Sequence, residues 1–109
     1  MSKAAELANL IGNINAGGGG VNRNVIINGN MSVAQRGTSF TGLGGSTGAV
    51  YTLDRFHTFD GATAGRATVT QDSSAPSGFA NSLKLACTTA DTSIAAGEIF
   101  VLAQRIEGQ

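Results

Sequence analysis

Apolar residues near the start of the chain recur with helical spacing. Leu7, Leu10, Ile11 and Ile14 fall at i, i+3, i+4 and i+7, and Ala4 and Ala8 widen the same stripe. This pattern predicts a helix over residues 2–14, with Ser2 as its N-cap and Glu6 near the end of the helix dipole that favours an acid. A helix this short is marginal alone in water, so its stripe has to dock on its own domain or in a bundle of identical helices around a symmetry axis. The run Gly17-Gly18-Gly19-Gly20 follows and predicts a hinge over 17–21. A phosphate loop would need a strand before the glycines and a helix after them, and here the order is the reverse.

Beyond residue 22 the apolar pattern changes to period two. Val25, Ile26 and Ile27 run into the turn dipeptide Asn28-Gly29, after which Met31 and Val33 alternate with Ser32 and Ala34, which predicts two strands about a tight turn. Residues 37–49 hold five glycines among Thr and Ser and read as a loop anchored by Phe40 and Leu43. Val50 to Phe59 reads as one strand, Arg66 to Gln71 as a second, and Ser82 to Thr88 as a third, with Leu83, Leu85 and Cys87 on its apolar, buried face against Lys84 on the other. From Glu98 to Ile106, Ile99, Val101 and Ala103 share one face and Phe100 and Leu102 the other, the pattern of a strand covered on both sides. Strands at this spacing, with no helices between them, predict a mainly β body over 22–109: an antiparallel sandwich or jelly roll. The last strand has almost nothing after it, so either other subunits cover it or the natural polypeptide continues past residue 109.

Composition sharpens this picture. The 109 residues include 16 glycines, one proline, one cysteine, one histidine and no tryptophan. Bulky apolar residues are scarce, and neither a disulfide nor a metal staple is available to a lone Cys and a lone His. The chain is therefore expected to lean on partners. Seven basic and seven acidic residues cancel, and the cations form no stripe, which argues against nucleic acid as a partner. The longest apolar run, Ile99 to Ala103, is far too short for membrane insertion, and no secretory signal opens the chain.

Four motifs carry a resemblance. Asn22-Arg23-Asn24-Val25-Ile26-Ile27-Asn28-Gly29, Val33-Ala34-Gln35-Arg36-Gly37, Tyr51-Thr52-Leu53-Asp54-Arg55-Phe56 and Gln104-Arg105-Ile106-Glu107-Gly108 occur in that order over most of 22–109. In order and spacing this stretch resembles the opening of tail-fibre and related virion structural proteins of tailed bacteriophages. The resemblance implies a β-sandwich similar to carbohydrate-binding modules, carried on a homotrimeric fibre in the virion and docked to phage tail or capsid proteins. In that family the chain normally runs on past the last motif through further strands. No catalytic residue, cofactor or metal comes with the resemblance.

The candidate chemistry is modest. Asp54, Arg55, Phe56 and His57 gather an acid, a cation and the only imidazole, but strand alternation puts Asp54 and His57 on opposite faces, which disfavours a hydrolytic dyad. Asp54 or Arg55 is instead expected to hold a neighbouring loop, with Gln35-Arg36 the candidate. Asp60, Asp72 and Asp91 stand among turn residues and read as backbone caps rather than as a glycosidase pair. The leading expectation is a non-enzymatic phage fibre or fibre-base protein, with Leu7, Leu10, Ile11 and Ile14 as the assembly and anchor stripe of an N-terminal element spanning 1–16. The alternative is a module binding a bacterial surface glycan through Tyr51, Phe56 and His57. A capsid decoration or head-fibre protein is a third.

Overall fold

The computed structural model describes residues 2–16 and 24–106, with the backbone alone for 10–16. The first element is helix α1, Lys3–Ala16. Ser2 caps it as expected: its hydroxyl accepts from the amide of Ala5 at 3.3 Å, and its carbonyl accepts from Glu6 at 3.1 Å. Leu7 is 57% exposed. The side chains of Leu10, Ile11 and Ile14 and the hinge at 17–21 lie outside the described residues.

The rest is mainly β. Strands β1 (Ser39–Leu43), β2 (Val50–Tyr51), β3 (Phe56–Gly61), β4 (Arg66–Asp72), β5 (Ser82–Thr89) and β6 (Ile99–Gln104) form two antiparallel three-stranded sheets, ordered β1-β4-β5 and β2-β3-β6. Successive strands alternate between sheets wherever a connection crosses, so β3 and β4 are the central strands while β5 and β6 both stand at edges. Buried positions come from both sheets: Leu43, Ala67 and Val69 from one, Thr58 and Asp60 from the other, with Thr52 and Leu53 in the turn between β2 and β3. The arrangement is sandwich-like, and its apolar core among the described residues is Leu43, Leu53, Ala67 and Val69.

Four features differ from the sequence pattern. Residues 24–34 form no strand, although the Asn28-Gly29 turn is present, with Asn28 at φ 58° and its carbonyl accepting from Met31 at 3.0 Å. The stretch read as a loop contains β1, where a bulge between Phe40 and Leu43 shifts the register against β4 and breaks the alternation that would have announced a strand. The segment 50–59 is a hairpin, β2 and β3 about a tight turn, rather than one strand. Cys87 is exposed, because β5 is an edge strand and nothing among the described residues covers that face.

Hydrogen bonds from acids to loops compensate for the scarce apolar packing. Asp91 accepts from the amides of Ser93 and Ala64 at 3.0 Å each and from the Thr63 hydroxyl at 3.2 Å, tying the β5–β6 connection to the β3–β4 loop. Asp72 accepts from the Ser74 amide at 2.7 Å and lies 3.5 Å from the Lys84 ammonium. Both are the backbone caps anticipated, but Asp60 is not a turn residue. It sits inside β3 at 3% exposure, where its two oxygens accept from the amide and hydroxyl of Thr47.

Leu53→Ala should cost about 3 kcal/mol, within the usual range for truncating a fully buried leucine, and should be seen as a lower denaturant midpoint; Leu85→Ala, on an exposed face, should cost far less. Acid should also destabilise the fold. The Ser74 amide holds the Asp72 carboxyl below the usual carboxylate range, with Lys84 adding to this, and the Ser93 and Ala64 amides do the same for Asp91. A depressed carboxyl contributes stability that is present above its unfolded pKa of about 4 and is lost as pH falls through the folded value. Thermal melts should therefore be flat near neutrality and decline below about pH 4, and Asp91→Asn should shallow that decline.

Candidate functional site

Three of the four sequence motifs, joined by a glutamine of the fourth, meet at one end of the β2–β3 hairpin. The Asn28 side chain pairs with Val33 in both directions, its Nδ2 donating to the Val33 carbonyl at 2.9 Å and its Oδ1 accepting from the Val33 amide at 2.9 Å. The same Nδ2 reaches the Asp54 carbonyl at 3.1 Å, and the Asp54 amide donates to the Val33 carbonyl at 3.3 Å. Asp54 Oδ1 then accepts from the Gln35 amide at 2.7 Å. Gln104 on β6 clamps the Ile27 backbone, accepting from its amide at 2.9 Å and donating to its carbonyl at 2.7 Å. Gln71 on β4 adds a bond of 2.6 Å to the Met31 carbonyl, so the strandless segment is held by both sheets. Asp54 thus holds the loop that carries Gln35-Arg36, as its sequence context suggested.

This hub presents a group of side chains on the sheet face that it abuts. The Phe56 amide donates to the Leu53 carbonyl at 2.9 Å and closes the turn, in which Arg55 has φ 74°. A left-handed φ costs a non-glycine residue roughly 1–2 kcal/mol, so a strained position is occupied by an arginine where glycine or asparagine would be easier. Across the hairpin, Tyr51 pairs with His57, and His57 pairs with Ala103 of β6. The Tyr51 and His57 ring centroids are 5.3 Å apart at 39°. The Arg36 guanidinium lies over the Tyr51 ring, 5.2 Å from its centroid, where it gains from the ring's negative face. Tyr51, Arg55, His57 and Arg105 line a pocket of about 260 Å³. His57 is only 7% exposed, and its Nδ1 is the buried side-chain polar atom that has no hydrogen-bond partner among the described residues.

Of the residues singled out for glycan contact, Tyr51 and His57 come together and Phe56 does not. Phe56 precedes His57 on β3 and points to the opposite face, where it is half-buried. The Tyr51 ring differs from an open stacking platform, because one face carries a guanidinium. Sequence reading placed Gln35-Arg36 beside Asp54 but missed the contact of Arg36 with Tyr51, and it missed Arg105 as a neighbour of this site. The register of β3 against β6, which brings Arg105 alongside, has no local signal. Among the described residues no three of His, Cys, Asp and Glu gather as a metal site.

Asp54→Ala should unfasten the hub by removing the acceptor of the Gln35 amide, with a loss of about 1.5–3 kcal/mol in chemical unfolding, typical of a charged acceptor. Arg36 should leave Tyr51 at the same time, seen as a change in tyrosine fluorescence under native conditions. No protein-family model matches this chain, and no curated protein or solved structure does either.

Proposed function

We propose that this protein is a structural component of a bacteriophage virion: a tail-fibre or fibre-base segment that assembles as a homotrimer on the particle and so contributes to host adsorption. The observation that carries the assembly reading is β6. It is an edge strand of its sheet, and between Ile99 and Gln104 it has no charged residue and no proline. Its apolar side chains are exposed on both faces, Ile99 at 43% and Val101 at 41% on one and Leu102 at 39% on the other. Edge strands are ordinarily protected from pairing by charges, prolines or bulges. The edge strand β5 of the other sheet carries such a charge at Lys84, whose side chain is 60% exposed.

A second copy of this chain suits that edge. The β6 segment is neutral and the chain has no formal net charge, so identical copies meet without repulsion while they bury the apolar side chains that the thin core leaves outside. The N-terminal stripe of Leu7, Leu10, Ile11 and Ile14 serves the same end as a helix bundle near the attachment point, and Leu7 is exposed as that role requires. The resemblance of the four motifs, in their order, to the opening of phage fibre proteins is the ground for the choice of particle. No catalytic group enters this reading.

Light scattering on the purified chain should give a mass of three copies, and Val101→Lys should shift the population towards monomer without loss of β-sheet circular dichroism. A wild-type chain that is a stable folded monomer at high concentration would overturn the assembly reading.

A further inference from the structure

We infer that Asn28-Gly29 is a site of self-modification, at which the chain deamidates the asparagine that builds its hub and thereby loosens the β2–β3 turn irreversibly. The reagents are its own backbone and water.

The position is singled out by the residue that follows it. Of the asparagines in the chain only Asn28 precedes a glycine, whose missing Cβ leaves the backbone nitrogen unshielded. Gly29 is exposed, and its amide has no hydrogen-bond partner among the described residues, so base and water reach it. Once deprotonated, that nitrogen attacks Cγ of the Asn28 carboxamide. The new N–C bond closes a cyclic imide, and the Cγ–Nδ2 bond breaks as Nδ2 takes a proton and leaves as ammonia. Water then opens the ring. Opening at Cγ leaves an aspartate, and opening at the backbone carbonyl leaves an isoaspartate, in which the main chain runs through the former side chain. A water is consumed, an ammonia is released, and nothing is oxidised or reduced.

The hub sets the timing. Nδ2, the leaving nitrogen, donates to the Val33 carbonyl at 2.9 Å and to the Asp54 carbonyl at 3.1 Å, while Oδ1 accepts from the Val33 amide at 2.9 Å. A carboxamide held by three bonds is not free to turn towards Gly29, so the reaction draws on the opened hub and its rate follows the opened fraction. The product cannot go back. A carboxylate has no proton to donate, so it meets the Val33 and Asp54 carbonyls as acceptor against acceptor. In the isoaspartate the lengthened main chain also displaces the Asn28 carbonyl that accepts from Met31 at 3.0 Å. An opening that is ordinarily reversible is thereby made permanent.

This inference does not depend on the assembly reading, since the reacting groups and the hub belong to a single chain. The test is incubation of the full chain at mildly alkaline pH, native and in urea, followed by tryptic digestion. Arg23 and Arg36 bracket a peptide of residues 24–36, in which fragment mass spectra locate conversion of amide to acid. Conversion at Asn28 is the expected result, slower in the native chain than in urea by about tenfold or more. Asp54→Ala, which removes the acceptor of the Gln35 amide, should speed native conversion by roughly tenfold. Gly29→Ala should slow conversion in both states without harming the fold, because a Cβ there meets nothing nearer than Ile26 Cγ2 at 3.4 Å. Asn28→Asp should reproduce the product, with a lower denaturant midpoint and the tyrosine fluorescence of a chain whose Arg36 has left Tyr51. No conversion at Asn28, equal rates in the native and unfolded chain, an unchanged rate in Gly29→Ala, or a wild-type midpoint in Asn28→Asp each overturns the proposal.

Discussion

The body of this protein depends on the pairing of the Asn28 side chain with the Val33 backbone. Asn28 mimics a strand partner, offering one donor and one acceptor, and its spare proton reaches the Asp54 carbonyl. Asparagine suits the position for a second reason: it tolerates the φ of 58° that the turn imposes, a conformation costly for most side chains. Through Asp54 the hub fixes the β2–β3 turn, and through Gln35 it fixes the loop that lays Arg36 on Tyr51. Gln104 and Gln71 extend it to β6 and β4. A segment with no regular secondary structure thereby links the two sheets, with side-chain amides doing what ladder hydrogen bonds do elsewhere.

That dependence on polar links follows from the shortage of apolar ones. Among the described residues only Leu43, Leu53, Ala67 and Val69 form a buried apolar core, while Val25, Ile27, Phe79, Ile94 and Val101 remain substantially exposed. Satisfied hydrogen bonds contribute about 1 kcal/mol each, so several are needed where one buried leucine would suffice. The exposed apolar side chains are also unevenly placed. On β6 they lie on both faces of a strand whose hydrogen-bonding edge is open, so a pairing strand would satisfy backbone and side chains together.

Much of the fold was legible in local pattern. Ser2 as a cap, the alternation of Ala67 and Val69 with threonines, and the runs at Leu83–Leu85 and Ile99–Leu102 announced α1, β4, β5 and β6 within a residue or two. The misses have separate causes, a distant partner for β1 and a turn without glycine or proline inside the β2–β3 hairpin. Strand β1 was hidden because a bulge puts Phe40 and Leu43 three apart rather than two. β6 has the two-sided pattern of a covered strand, yet Ile99 and Val101 on one face and Leu102 on the other stay about two-fifths exposed, Leu102 although it borders a cavity shared with Met31, Phe79 and Leu83. Tyr51 and His57 were each noticed, yet as members of one strand they would lie far apart; the tight turn at Leu53–Phe56 folds them into contact. The motif Tyr51–Phe56 thus contained its own turn, with only the polar pair Asp54-Arg55 to mark it.

The same turn explains why unfavourable features collect in one place. Arg55 in a left-handed conformation and His57 with an unpartnered Nδ1 are both local costs, and they lie two residues apart. A chain with so small a core has little stability to spare for such costs. The turn could relax by exchanging Arg55 for glycine, and the histidine could be replaced by an apolar side chain of similar volume. Retaining both costs stability at the point where the hub holds the backbone most firmly, and a firm backbone is what lets strain persist. Firmness and strain therefore belong together: the hydrogen bonds that Asn28 and Asp54 make beside the turn, with that of the Phe56 amide to the Leu53 carbonyl, keep Arg55 at φ 74° where an unsupported turn would relax.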